Sequence, residues 1–429
     1  MRILFLSQVL PYPVDAGPKM RSYYVLRHLS QRHQVTLLTF VRDTDRPDHI
    51  AHLAAWCHAV HSVPMRRSRL RDVKFLTQSL FTGQPFIILR DHVPAMIQEI
   101  QRLVRSEPFD AIHADQLWMA PYALAARAAS VRDTPRSPDT ASRPRLLLDQ
   151  HNAVHLIPKR LAGDESHPLK ERFLTREARL LAAYEADVCR SFDHVVWVTE
   201  EDKRAVEALP ASTSQPQPPS TVIPICADPT HAPPLARAAN PRRITFLGGL
   251  HWPPNAQGVL WFADQVFPQV RAAVPEATLT VIGKDPPAGL EGEGIEVTGY
   301  VTDLVPFLAE TAVFIVPLHA GGGMRVKILD AWSWGLPVVS TTIGAEGIHV
   351  QNENNLLLGD SAPAFAHAVI RVLKDPTLAQ QLGQNGRQTV TERYDWRVIY
   401  SAWDEVYAGL SDVGGFSTRT SQPPPIDKD

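Results

Sequence analysis

The sequence predicts an α/β chain made of two doubly wound parallel-sheet units, and three observations predict it. Short, almost continuously apolar runs alternate with stretches of helical spacing, the pattern of parallel strands covered on both faces. The alternation stops at a proline-rich segment and resumes beyond it. A length of 429 residues exceeds what one ordinary core serves, so two domains are expected.

In the first half, "RILFLS", "HQVTLLTF", "FDAIHAD" and "RLLLDQHN" read as strands, with "KMRSYYVLRHLSQR" and "PAMIQEIQRLVRS" as helices between them. "HVVWVTEEDKRAVEAL" repeats the strand, turn and helix order, with Thr199 placed to cap the helix. "VRDTPRSPDTASRPR" is expected to be a surface loop. "PASTSQPQPPS" and "DPTHAPPLARAANPRR" disfavour helix and central strand, with the short strand "TVIPI" between them, and mark the boundary. Beyond it "RITFLGG", "ATLTVIG", "IEVTGYV", "AVFIVPL" and "PVVST" form a second strand set, with "WPPNAQGVLWFADQVFPQVRAAVP" and "KILDAWSWG" as helices. The expected division is a first domain over 1–228, a linker over 229–241 and a second domain over 242–393. A terminal helix over 394–411 and a disordered tail over 412–429 complete it, because the tail has almost nothing to bury.

Composition excludes several classes. With 43 Lys and Arg against 45 Asp and Glu, the net charge of -2 argues against nucleic acid as a partner, so an anion site must be local. Cys57, Cys189 and Cys226 lack metal-ligand spacing and read as core thiols of a reducing compartment. The opening "MRILFLSQVLPYP" is a first strand rather than a signal peptide, and no segment reaches about 18 uninterrupted apolar residues. A cytoplasmic location is therefore expected, with the inner face of the cell membrane as an alternative site of contact. "PMRRSRLRDVKFL" sets Arg66, Arg67, Arg69, Arg71 and Lys74 beside apolar residues, which suits either a solvated helix or an anionic lipid surface.

Ligands of open α/β sheets bind at the carboxyl ends of the strands. In the first half those positions hold Gly17, Lys19 and Arg21, then His113 and Asp115, then His151 and Asn152. Imidazole and carboxylate at such places could orient a substrate hydroxyl or act as bases. In the second half the stretch "AGGGMRVKILDAWSWGLPVVST" joins bare backbone at Gly322 and Gly323 to Arg325, Lys327 and Asp330. Glycines let a ligand reach the main chain, and a helix opening near residue 323 would offer N–H donors to an anion. Lys327 and Asp330, three apart, would share one helix face. A diphosphate on the cations, with Asp330 accepting from ribose hydroxyls, fits a nucleotide sugar. The chain lacks the GxxxxGK[ST] and GxGxxG patterns, which excludes a P-loop and makes a nicotinamide enzyme a distant alternative.

These residues resemble glycosyltransferase family 4. "FLGGLHWPPNAQGVLWFADQVFP", "GYVTDLVPFLAETAVFIVPL" and "GGGMRVKILDAWSWGLPVVSTTIGAEGI" are similar to its second domain. "SQVLPYPVDAGPKMRSYYVLRHLSQRHQVTLLTF", "FDAIHADQLWMAPYA" and "LLLDQHNAVH" are similar to its first. The resemblance implies a GT-B fold, two Rossmann-like domains across a cleft, and retaining, metal-independent transfer of a hexosyl group from a nucleotide-diphosphate sugar. It implies no bound cofactor, a saccharide or lipid-linked acceptor, and a last helix that crosses back to the first domain. Asp330 and, eight positions earlier, Gly322 stand where the family carries two glutamates, so the chain departs from that pair. By resemblance, Gly17, Gly248, Gly249, Gly322, Gly323, Met324, Arg325, Lys327 and Asp330 form the donor site. His113, Asp115, Arg325 and Lys327 carry catalysis, and His151 and Asn152 meet the acceptor. A GT-B protein that binds without turnover, and a GT-B nucleotide-sugar epimerase, are the competing readings.

Overall fold

The computed structural model describes residues 1–412 apart from 16, 133–142, 164, 166, 236, 239–240 and 322. Gly322, most of the expected surface loop, and the tail beyond 412 lie outside the described residues.

The first sheet contains β1 (Arg2–Ser7), β2 (Gln34–Val41), β3 (Ala59–Pro64), β4 (Ala111–Asp115), β5 (Arg145–Gln150), β6 (His194–Trp197) and β7 (Ser220–Val222). Its order is β3-β2-β1-β4-β5-β6-β7, parallel throughout. The second contains β8 (Arg243–Leu247), β9 (Thr278–Ile282), β10 (Ile295–Gly299), β11 (Thr311–Val316), β12 (Val338–Ser340) and β13 (Leu357–Leu358). Its order is β10-β9-β8-β11-β12-β13, again parallel. In each sheet the chain winds outward on one side and then restarts on the other. The reversal falls between β1 and β4 in the first sheet and between β8 and β11 in the second, and there the connecting loops part to leave a crevice.

Residue parity explains the core. Leu4, Leu6, Ile112, Ala114, Leu146 and Leu148 face one layer of the first domain, while Ile3, Phe5, Ala111 and Leu147 face the other. This second layer is completed by Trp396, Tyr400, Trp403, Tyr407 and Leu410 from the end of the chain. The aromatics at helical spacing are therefore core packing. The terminal segment forms two helices, Trp396–Ile399 and Ala402–Asp412, rather than one. Ala227 and Asp395 pair as an isolated bridge, and Arg397 meets Asp228 at 3.0 Å, so the outgoing and returning crossings run side by side.

The local signals act as their chemistry dictates. The Thr199 hydroxyl accepts the Asp202 amide at the start of Glu200–Glu207. The helix after the triple glycine spans Val326–Ser333, with Arg325 as its N-cap, and so opens later than residue 323. Gly321 (φ +117°) and Gly323 (φ +73°) hold the left-handed region that an α-helix cannot include.

Candidate donor and acceptor site

Register places the first-domain polar residues in a row. Ser7 on β1 aligns with Asp115 on β4, and Asp115 with Asp149 on β5, at the carboxyl edge. Asp115 Oδ2 accepts from the Ser7 hydroxyl at 2.8 Å and the Ser22 hydroxyl at 2.7 Å. Arg21, fully buried, forks onto Asp149 at 2.6 to 2.9 Å and donates to the Ile223 carbonyl at 2.7 Å. Burial opposes the charges on Arg21 and Asp149, but their mutual attraction outweighs it, holding the carboxyl well below its usual range. Arg21 is thus an internal tie for the helix Gly17–Ser30, not a cation offered to a ligand, and Lys19 pairs with Asp15 at 2.9 Å.

Two sequence assignments need correction here. His113 and Asp115 have no exposed surface, so neither touches a substrate as they are packed. His113 is two residues before Asp115 on the same face, stacked on Phe5 at 4.3 Å with Nδ1 2.8 Å from the Tyr407 hydroxyl. The cause is the returning terminal helix, which covers that face. His151 is different. It follows β5, is 9% exposed, and holds Nε2 2.8 Å from Asp115 Oδ1 and 3.7 Å from Asp149 Oδ2. Desolvation works against its charge, but the two carboxylates prevail and raise its pKa. Among the described residues nothing hydrogen-bonds its Nδ1.

The loop carrying His151 and Asn152 is fixed from below by Glu185, which accepts from the Val154 and His155 amides at 2.7 and 2.9 Å. Asp202 accepts the Ala153 amide at 2.8 Å. The loop in turn meets the second domain: a Cβ at Gly323 would lie 3.1 Å from Asn152 Cβ. A Cβ at Gly17 would lie 3.4 Å from Val326 Cγ2, so the start of the first helix of one domain abuts the helix that follows the glycine loop of the other.

In the second domain Lys327 projects toward the end of β8. Its ammonium donates to Asn255 Oδ1 at 2.9 Å and lies 4.4 Å from the centre of the Phe246 ring. A Cβ at Gly248 would stand 2.7 Å from Lys327 Nζ, so any side chain there would push the ammonium aside. Asn255 Nδ2 donates to the Gly249 carbonyl at 2.8 Å, fixing the amide's orientation. Lys327 and Asp330 are half-buried, with their charged ends in the interior. Burial lowers the lysine pKa to about 7, aided by Arg325, and raises that of Asp330 to about 7 despite Lys327. Arg325 is 8% exposed and donates to the Gly323 carbonyl at 3.1 Å, and burial lowers its pKa to about 10. Met324 is buried in the core beneath the loop.

The structure therefore gathers Gly17, His151, Asn152, Gly248, Gly323, Arg325 and Lys327 where the carboxyl edges of the two sheets approach, with Gly249 on Asn255 and Asp330 one turn along the helix. Sequence reasoning missed Asn255, Asp149, Arg160 and Glu346. Asn255 had a faint signal, standing just inside a helix that opens with Pro-Pro after the glycine pair. The other three act through contacts between distant segments.

Comparison with known proteins agrees with this architecture. Residues 241–375 match the family described as "Glycosyl transferases group 1". An uncharacterized 44.6 kDa protein in the cps region of Klebsiella pneumoniae is 25% identical over 271 residues, covering 60% of this chain and 66% of that protein. The lipopolysaccharide core biosynthesis glycosyltransferase LpsE of Rhizobium meliloti is 30% identical over 123 residues, covering 28% and 35%. The matches thus span less than two thirds of either relative. Among solved structures, sucrose-phosphate synthase from Thermosynechococcus elongatus superposes with a TM-score of 0.69 at 16% identity, covering 96% of this chain and 100% of that one. Anabaena HepE in complex with UDP and glucose superposes at 0.63 with 15% identity, covering 95% and 99%. The chain has the GT-B fold, two Rossmann-like parallel-sheet domains, and the match to the group 1 glycosyltransferases falls in the second of them.

Proposed function

We propose that the protein is a retaining glycosyltransferase of the family 4 type, moving a hexosyl group from a nucleotide-diphosphate sugar to a hydroxyl acceptor. The observation that carries this reading is the pair Arg325 and Lys327, both weakened as cations by burial, beside a bare glycine loop at the β8/β11 reversal. Burial opposes the charge of both side chains, and an arriving diphosphate offsets that cost. The similarity to the glycosyltransferase LpsE supports glycosyl transfer, and the UDP held by HepE is in keeping with a nucleotide-diphosphate sugar as donor.

In the reaction the bond from the sugar's anomeric carbon to the phosphate oxygen breaks while a bond to the acceptor oxygen forms on the same face. The acceptor proton passes to the departing phosphate oxygen. Arg325, Lys327 and loop amides meet the charge growing on the leaving diphosphate. Asp330 accepts from the ribose hydroxyls. His151, its pKa raised by two carboxylates and its ring 9% exposed, orients the sugar or acceptor beside Asn152, and Asp115 positions it.

A metal is not required by this scheme. Asp115, Asp149 and His151 are the one group with metal-ligand spacing among the described residues. Arg21 already occupies both oxygens of Asp149, and two hydroxyls occupy Asp115 Oδ2, so an ion there would have to displace a buried guanidinium.

On the acceptor side, no helix among the described residues is long and apolar enough to cross a membrane. The helix Arg69–Thr82 nevertheless exposes Leu70 (84%), Val73 (63%), Leu80 (59%) and Phe81 (88%), flanked by Arg69 and Lys74. That stripe suits an anionic bilayer and a lipid-linked acceptor. Sedimentation with anionic vesicles at low and high salt tests it, with binding at low salt expected and absence at both salts contradicting it.

A thermal-shift panel of nucleotide-diphosphate sugars, followed by transfer assays with the stabilising donor, tests the main reading. A selective rise in melting temperature and glycoside formation are expected. Donor conversion without acceptor would favour the epimerase, and donor binding without any conversion the inactive binding protein.

A further inference from the structure

Arg160 lies in the first-domain helix Leu156–Gly163, yet its partners are in the second domain. Nη1 and Nη2 fork onto the Glu346 carboxylate at 2.7 Å each, and Nη1 also donates to the Gly321 carbonyl in the glycine loop. Glu346 follows the short turn Ile343–Ala345 after β12, and its Oε2 stands 3.9 Å from Arg325 Nη2. One carboxylate therefore sits between two arginines contributed by opposite domains.

The geometry decides which arginine holds it. A two-pronged guanidinium–carboxylate pair is directional and roughly twice as strong as a neutral hydrogen bond, whereas at 3.9 Å only the field acts. Arg160 and Glu346 are about a quarter exposed, and Arg325 is nearly buried. Released from Arg160, the Glu346 carboxylate would have Arg325 as its nearest cation and would occupy the guanidinium that a phosphate needs.

We infer that Arg160 is a positioning residue that holds Glu346 off Arg325 and ties the Gly321 carbonyl to the first domain, so that diphosphate affinity depends on a residue that does not touch the diphosphate. The inference rests on the donor site proposed above. It explains why a carboxylate is tolerated beside an anion site: its charge is taken up by the opposite lobe and moderates the burial cost of Arg325.

The test is calorimetric binding of UDP, GDP and ADP to the wild-type chain, then of the tightest of these to Arg160→Gln, Glu346→Gln and the double variant. Arg160→Gln is expected to weaken binding about tenfold or more, and Glu346→Gln less than about threefold. The double variant is expected to return to within about threefold of Glu346→Gln, because the competing carboxylate is gone. Arg160→Lys, which keeps the charge but cannot fork, is expected to fall between wild type and Arg160→Gln, and it covers a failure of the latter to fold. Unchanged affinity in both Arg160 variants, or a double variant as weak as Arg160→Gln alone, would overturn the inference while leaving the donor site standing. Absence of binding to the wild type would overturn both.

Discussion

Each domain buries charge at the carboxyl edge of its sheet, and the two domains do so in opposite ways. In the first, Arg21 forks onto Asp149 and His151 stands 2.8 Å from Asp115, so the Asp149 carboxyl is held well below its usual range and the histidine pKa is raised. In the second, Lys327 and Asp330 are both driven toward neutrality, and Arg325 is weakened with them. A cluster whose opposite charges are matched is structural cement; one in which burial opposes the charges is relieved by a ligand of the right sign. On the function proposed above, the first cluster is scaffolding, apart from His151 at its rim, and the second binds the anion.

Removing the cations should break the comparison most strongly. Lys327→Ala and Arg325→Ala are each expected to lower transfer by about 100-fold or more with the fold intact. Since the buried ammonium is unfavourable without ligand, the melting temperature of Lys327→Ala should not drop much, and circular dichroism melts beside the assay check this. The first cluster should respond in reverse. Asp149→Asn leaves Arg21 buried and uncompensated, which costs about 3 to 5 kcal/mol, read as a lower denaturation midpoint. Gly248→Ala, which pushes a methyl against Lys327 Nζ, should weaken donor use about tenfold at nearly unchanged stability.

The smallest effects lie in pH. Lys327 has a folded pKa below its unfolded value, so its stability cost appears as pH falls from the ordinary lysine range through about 7. Asp330 has a folded pKa above its unfolded value, so its cost appears as pH rises from the ordinary carboxylate range through about 7. Asp330→Asn should therefore raise the melting temperature by a few degrees at pH 8 and by nothing at pH 4. At pH 8 the lysine is mostly neutral when the site is empty and charged when a diphosphate is present. Calorimetry in buffers of different ionisation enthalpy should then record uptake approaching one proton per nucleotide diphosphate bound, and little uptake at pH 6.

What the sequence revealed follows from the range over which each signal acts. Continuous apolar runs encode buried parallel strands locally, and a threonine before a charged helix encodes its own cap, so the sheets and the Glu200–Glu207 helix were legible. The glycine loop with Arg325, Lys327 and Asp330 was legible because one short stretch holds all of it. The Arg21–Asp149 tie spans 128 positions and the Arg160–Glu346 pair 186, and no local pattern carries either. His113 looked available at a strand end because its cover, Tyr407, arrives from 294 residues away. The helix start slipped from 323 to 326 because left-handed glycines do not announce their backbone angles.

The most direct test is a crystal structure of the chain soaked with a nucleoside diphosphate. The account predicts the two phosphates against Arg325, Lys327 and the amides of the glycine loop, with the ribose hydroxyls on Asp330. Phosphates lodged elsewhere, with Lys327 still donating only to Asn255, would contradict it.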